Sequence, residues 1–327
     1  MRFSSLEYLS PGNVKGILNV LSEHGGEAAI LAGGTDLLVN MKHRLIRPRL
    51  IVDLGRVDKL RYIKWDKKGL RIGAGTKLYE IIQSDTIKAK FPSLSQAASS
   101  VASPQIRNMG TVGGNICLDT RCWFYNQSHW WRKAIEPCFK VGGNVCHVAR
   151  GGDRCWALFM ADTPPAFLAL DANVKIASKS GERIIPLSQF YTGKGKSPNV
   201  LKQDELVTEL IVSKNGYKSS YVRFSFREAI DFPVIGVSVS LLLEDGAIRD
   251  CRIVFTGVGS SPVRASATEE ILKGKGVEEA VIEKAAKEAS SEIRPISHME
   301  IPALYKRKLG GAMVKKAIKK ALEEVEE

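Results

Sequence analysis

The chain has 327 residues, enough for two or three domains with their own cores, and its 44 % hydrophobic and 25 % charged residues are ordinary for a soluble globular protein. No run of about 18 apolar residues occurs, which excludes a membrane-spanning helix, and the opening MRFSSLEYLSPGN lacks the apolar stretch of a signal peptide, so the cytoplasm is the expected compartment. The 48 basic and 35 acidic residues leave a net charge of +13. It is not massed in one block: Lys315, Lys316, Lys319 and Lys320 are followed by Glu323, Glu324, Glu326 and Glu327 on one expected helix, and no recognition motif accompanies the excess. The charge therefore reads as solvated surface, and no nucleic-acid partner is expected.

In chain order, residues 14–24 carry apolar side chains at helical spacing, and 27–31 turn apolar as a short buried strand does. Residues 50–54 and 69–73 predict further strands, 78–85 and 93–101 helices, and 168–177 a strand, a turn and a second strand. From about residue 219 the texture changes. Strands are predicted over 221–226, 235–243 and 248–256, with Asp245–Gly246 as a turn, followed by helices near 263–273, 277–291 and 302–325. The natural division is 1–215 and 216–327, and a cysteine-rich stretch, 117–156, interrupts the first part.

Two glycine-rich loops stand out. ILAGGTDLL runs from an apolar strand through Gly33, Gly34, Thr35 and Asp36 into a second apolar stretch. QIRNMGTVGGNI follows about seventy-five residues later. Adjacent glycines let a ligand approach the backbone, and successive free N–H groups form a nest for an anion. A tight turn without a ligand would also account for either loop, but two such nests suit the two phosphates of a dinucleotide. Neither loop has the G-x-G-x-x-G spacing of a Rossmann unit, and neither is a P-loop.

AGGTDLL followed by IRNMGTVGGN resembles the FAD-binding subunits of the molybdenum hydroxylases, the xanthine dehydrogenase and CO dehydrogenase family, and the resemblance continues through DTPPAFLALDANVKI into the last third of the chain. It implies an α+β fold: a two-part FAD-binding domain (1–215) carrying the cysteine-rich insert, then a C-terminal α+β domain of sheet and helices (216–327). It implies that Leu31, Ala32, Gly33, Gly34, Thr35 and Asp36, with Gly110, Thr111, Val112, Gly113, Gly114 and Asn115, wrap the FAD pyrophosphate. By the same resemblance Asp162 contacts the adenosine half, and Leu206 and Arg223 lie near the flavin ring.

The stretch from Cys117 to Cys155 holds five of the six cysteines. A bare loop of about forty residues inside a compact domain is uncommon, so something should organise it. Disulfides are disfavoured in the cytoplasm, and five is an odd count. A structural zinc site usually shows paired C-x₂₋₄-C knuckles, whereas fifteen, seven and eight residues separate Cys122, Cys138, Cys146 and Cys155. His129 and His147 could complete such a site, and unliganded thiols are a third reading. A cubane accepts thiolates from widely separated places, so an iron–sulfur cluster is a fourth. Resemblance favours the last. The 4-hydroxybenzoyl-CoA reductase branch of the family carries an insert similar to GGNICLDTRCWFYNQ and GGDRCWA, and it implies a [4Fe–4S] cluster on Cys122, Cys138, Cys146 and Cys155. Cys117 is then a buried thiol and Cys251 a core residue. Trp123, Trp130, Trp131 and Trp156 are expected around the cluster, and Arg132, Lys133 and Lys140 are expected to be exposed.

The resemblance further implies one subunit of three, in a dimer of heterotrimers. Its partners are a large molybdopterin subunit and a small subunit with two [2Fe–2S] clusters, and a ferredoxin supplies electrons through this chain for reductive removal of an aromatic hydroxyl. One alternative is the flavin subunit of an oxidising hydroxylase that delivers electrons to NAD or a quinone. Another is a non-catalytic scaffold holding zinc.

Overall fold

The computed structural model describes residues 5–213, 216–298 and 301–323. The expected domain boundary at 215 and residues 324 and 325 of the expected C-terminal helix lie outside the described residues.

The first layer is a small parallel sheet of β1 (Glu7–Leu9), β2 (Ala28–Leu31) and β3 (Leu50–Asp53), in the order β1-β3-β2. Helix α1 (Val14–His24) is capped at its start by the Asn13 side chain, which accepts from the Gly16 N–H at 2.8 Å. It buries Ile17, Leu18 and Leu21 against Leu50 and Val52. Strand β2 ends at Leu31, the chain turns through residues 32–36, and α2 (Leu37–Lys42) follows.

The second layer is an antiparallel sheet, ordered β4-β5-β10-β6-β7, made by β4 (Ile63–Asp66), β5 (Gly69–Gly73), β6 (Asn173–Ser178), β7 (Gly181–Pro186) and, after the hairpin β8 (Tyr191–Lys194) and β9 (Ser197–Asn199), β10 (Leu206–Val212). Between β5 and β6 run α3 (Leu78–Gln83), α4 (Asp85–Lys90), α5 (Pro92–Ser100), α6 (Pro104–Met109), α7 (Val112–Ile116), the insert's only α-helix α8 (His129–Lys133), and α9 (Thr163–Ala169). Their apolar faces close one core with Leu70, Ile72, Val174 and Leu210. Residues 168–169 thus complete a helix, where the sequence predicts a strand. Pro164 and Pro165 sit in the first turn of α9, where proline's missing N–H has no intrahelical partner to lose.

The C-terminal part is a four-stranded antiparallel sheet of β11 (Lys218–Phe224), β12 (Ile235–Glu244), β13 (Ala247–Thr256) and β14 (Val263–Arg264), backed by α10 (Ser266–Leu272), α11 (Glu279–Glu292) and α12 (Ala303–Glu323). Strand β12 alternates with period two. Ile235, Val237, Val239 and Leu241 pack with residues of the three helices, such as Leu272, Ala285 and Val314. The intervening Ser238 and Ser240 are also buried, and Ser240 donates to the Ala169 carbonyl at the end of α9 in the first domain. Serine is small enough to let the sheet lie close to α9 while its hydroxyl keeps a partner. Among the described residues no helix is long and apolar enough to cross a membrane.

Candidate functional site

The two glycine loops meet. A Cβ on Gly33 would lie 2.1 Å from the Met109 carbonyl oxygen and 2.8 Å from the Gly110 Cα, so only glycine permits this approach. Gly34 adopts φ +70°, which its missing Cβ allows. Among the described residues the N–H groups of Gly33, Gly34, Thr35 and Asp36 have no hydrogen-bond acceptor. Four consecutive half-buried donors without partners fit an anion such as a pyrophosphate. Leu31 and Ala32 lead into this turn from β2.

The second loop is built differently. Its N–H groups already have partners: Gly110 donates to Ile106, Val112 to Thr76, Gly113 to Ala74, Gly114 to the Thr111 hydroxyl and Asn115 to the Thr111 carbonyl. The expected second nest of free donors is therefore replaced by a rigid shelf. Val112 is buried in the core, and Gly113 packs on Ala74, where a Cβ would come within 2.8 Å. Gly114 is different. It is exposed, its φ is not positive, and a Cβ there would meet only the Thr111 hydroxyl at 3.2 Å. Neither packing nor dihedral strain requires glycine at 114, which leaves an open approach surface as the reason for it.

Asn115 reaches across to α9, its Oδ1 accepting from the Thr163 N–H at 3.1 Å and the Thr163 hydroxyl at 2.7 Å. Asp162, one residue earlier, is 3 % exposed and accepts from the Tyr221 hydroxyl at 2.8 Å and the Arg223 guanidinium at 3.3 Å. Burial pushes its carboxyl up to about 6, with Arg223 and Tyr221 pulling the other way. Asp162 and Arg223 thus form one ion pair at the boundary with the C-terminal domain. Tyr221 completes this contact and carries no motif that sequence alone could flag. Leu206, at the start of β10, is 4 % exposed, and its side chain packs with Ile17, Leu21 and Val52.

The insert brings its thiols together. Cys122, Cys138, Cys146 and Cys155 line one cavity with Phe124, Tyr125, Phe139, Lys140 and His147. They are electrostatic neighbours: Cys122 feels Cys155 and Cys138, and Cys155 feels Cys138 and Cys146. Burial pushes the Cys122 thiol up to about 11 and raises that of Cys155, so each of these two would need a bound cationic group to stay a thiolate at neutral pH. Among the described residues no three His, Cys, Asp or Glu side chains converge closely enough to hold a single metal ion. The four thiols therefore share one cavity without forming a single-ion site among the described residues. Cys117 does not line the cavity; burial raises its thiol to about 12. Cys251 is fully buried in the C-terminal core.

Two expectations about the insert fail. No tryptophan lines the cavity; Trp123, Trp130 and Trp131 are 50 %, 76 % and 37 % exposed, and Phe124, Tyr125 and Phe139 provide the cover. Of the three basic residues expected outside, only Lys133 is exposed. The Lys140 side chain is 4 % exposed, donating to Asp119 and the Gly195 carbonyl at 2.8 Å each. Arg132 donates to the His43 and Arg44 carbonyls just after α2. Arg121 pairs with Asp36 of the first glycine loop and stacks over the Phe232 ring, joining the insert to both domains.

The comparisons with known proteins agree with this arrangement. A family model for the FAD binding domain in molybdopterin dehydrogenase matches residues 2–214, and one for the CO dehydrogenase flavoprotein C-terminal domain matches 220–321. The chain is 30 % identical over 325 residues to the 6-hydroxypseudooxynicotine dehydrogenase complex subunit alpha of Paenarthrobacter nicotinovorans, covering 98 % of this chain and 96 % of that one. It is 27 % identical over 324 residues to the xanthine dehydrogenase FAD-binding subunit of Escherichia coli O157:H7, covering 98 % and 97 %. A chain of the cyanide-inactivated Cu,Mo-CO dehydrogenase superposes with a TM-score of 0.82 at 25 % identity, covering 99 % and 100 %. The two family models together span residues 2–214 and 220–321, and the chain belongs to the FAD-binding subunits of the xanthine dehydrogenase and CO dehydrogenase family of molybdenum hydroxylases.

Proposed function

We propose that this flavoprotein subunit also carries a [4Fe–4S] cluster on Cys122, Cys138, Cys146 and Cys155, and serves a reductase of the 4-hydroxybenzoyl-CoA reductase type. One observation supports the reading most: four of the insert's five cysteines, from four separate stretches, line one cavity under aromatic cover, and the fifth does not. FAD exchanges one or two electrons and a cluster exchanges one, so a chain holding both can join a one-electron donor to a partner's redox centres.

Within the chain, the free N–H groups from Gly33 to Asp36 hold the pyrophosphate of FAD, and the open backbone at Gly114 lets it lie close. The thiols hold the cluster, and the Arg121–Asp36 pair fixes the insert to the flavin loop. CO dehydrogenase relatives are named medium chains, which supports a place between a large molybdopterin subunit and a small [2Fe–2S] subunit. Ferredoxin is the proposed donor and an aromatic acyl-CoA the proposed substrate, bound on the large subunit. The deciding experiment is metal, sulfide and flavin analysis of anaerobically purified protein. Four iron, four sulfide and one FAD per chain, with an EPR signal on reduction, are expected; zinc or metal-free protein with full FAD would refute the cluster reading.

A further inference from the structure

A second cleft lies between the insert and the C-terminal domain. It has a volume of about 240 Å³ and is walled by Trp123, Phe226 and Phe232, with Arg121, His298 and Lys306 among its polar residues. A larger cleft of about 480 Å³ opens beside it and shares Trp123, Phe226 and His298. The lining of neither includes a residue of the two glycine loops, and neither includes the Asp162–Arg223 pair.

Its charge is unusual. Lys306, near the start of α12, is 1 % exposed, and its ammonium makes one hydrogen bond, 3.2 Å to the Gly257 carbonyl. Among the described residues it has no carboxylate partner. Buried ammonium groups are ordinarily paired, because desolvating a lone charge is costly. Burial lowers Lys306 to about 8, so it remains mostly cationic at neutral pH. His298 is 8 % exposed, and among the described residues its Nε2 has no hydrogen-bond partner. Burial, then the nearby Lys306, holds its ring down to about 4, so it is neutral and can donate or accept one bond. Arg121 is already matched by Asp36, and the carboxylate of Asp231 is matched by the Arg227 guanidinium at 3.7 Å and accepts from the Arg227 and Phe232 backbone N–H groups. The unmet demand in the cleft is therefore for one negative charge, set between aromatic faces.

We propose that this cleft binds a small aromatic carboxylate, its carboxylate on Lys306 and His298 and its ring between the side chains of Trp123, Phe226 and Phe232. The pocket suits this class on three counts. It supplies an unmatched cation, a neutral partner for the second oxygen, and planar apolar walls that favour a ring over an aliphatic body. Residues from the insert and the C-terminal domain both line it, so an occupant would tie the two together.

Benzoate is the probe, added to the purified FAD-replete protein and followed by calorimetry and by Trp123 fluorescence. Saturable binding of one benzoate per chain is expected, at least tenfold weaker for the uncharged isostere benzamide and for acetate. Phe226 is 61 % exposed, so Phe226→Ala keeps the fold and should weaken benzoate at least fivefold with FAD content unchanged. Lys306→Met should weaken it at least tenfold. If that variant fails to fold, the benzamide comparison and Phe226→Ala decide alone. No saturable binding to the wild-type protein, or equal affinity for benzoate and benzamide, overturns the proposal. An affinity unchanged in Phe226→Ala would move the site elsewhere.

Discussion

Between Val222 and Ala321 the C-terminal domain gathers twenty-one buried side chains into one apolar cluster, whereas the forty residues from Cys117 to Trp156 bury two hydrophobic ones, Leu118 and Tyr125. The domain needs nothing beyond this packing to hold its shape. The insert has no comparable core. What fixes it is polar and local: Arg121 on Asp36, Arg132 on the carbonyls after α2, and Lys140 on Asp119 and Gly195. Segments too small to bury a core generally need a covalent or metal cross-link. The difference gives the proposed cluster a structural part as well: bound to four thiols, it would cross-link a segment that has little core of its own.

The strongest way to break this comparison is to remove one thiol. Cys146→Ser should abolish the cluster's iron and expose the amides of 122–156 to hydrogen exchange, while the C-terminal domain keeps wild-type protection and FAD is largely retained. Cys117→Ser and Cys251→Ser should leave iron unchanged. Iron lost in Cys117→Ser but kept in Cys146→Ser would reverse the assignment.

Gly114→Val comes next. Its branched side chain would fill the open approach beside the second loop, and FAD retention should fall at least tenfold with iron still bound. The clash with Thr111 is confined to a hydroxyl at 3.2 Å from the added Cβ, so the melting temperature of the flavin-free chain should change little. Stoichiometric FAD in the variant would show that nothing approaches the loop there.

These two sites differ in how far sequence could disclose them. The glycine loops were legible because Gly33 and Gly34 have backbone reasons to be glycine, a close approach and a positive φ, and such needs leave a mark in sequence. The β12 alternation IGVSVSLLL was equally readable, as one face of a period-two strand. The burial of the Leu206 and Lys140 side chains was not. Whether a leucine faces a cofactor or a core, and whether a lysine is solvated or buried, depends on contacts far along the chain: Ile17 for Leu206, Gly195 for Lys140. Spacing alone could not show that Cys122, Cys138, Cys146 and Cys155 share a cavity and Cys117 does not, because the turns that bring them together follow no simple period.

A core truncation sharpens the comparison from the other side. Phe255 is fully buried in the C-terminal cluster, and Phe255→Ala should cost about 3–5 kcal/mol of stability by denaturant unfolding. Because the insert takes little from that core, the cluster's absorption at native temperatures should be unchanged. Concerted loss of both would mean that insert and domain fold as one unit.

The smallest effect concerns donor docking. Arg132 and Lys140 are tied inward, so charge steering cannot run through them. The hairpin between β8 and β9 offers another surface. Its Gly195 packs directly on Cys155, with the sulfur 3.0 Å from where a Cβ would stand, and Lys194 and Lys196 on either side are exposed. Two solvated cations thus flank a point where the backbone packs against Cys155, one of the proposed ligands. An acidic ferredoxin would be guided there by charge, which raises encounter rates more than final affinity. Reversing both, Lys194→Glu with Lys196→Glu, should slow ferredoxin reduction of the assembled complex about three- to tenfold at low ionic strength, within the range electrostatic steering supplies. The defect should fade toward 0.5 M salt, where the Debye length falls to about 4 Å, and a small uncharged donor should reduce both proteins equally. Stopped-flow traces at two salt concentrations make the test. Equal rates at low salt would place the donor's approach away from this hairpin, and a defect that persists at high salt would point to lost contacts in place of lost steering.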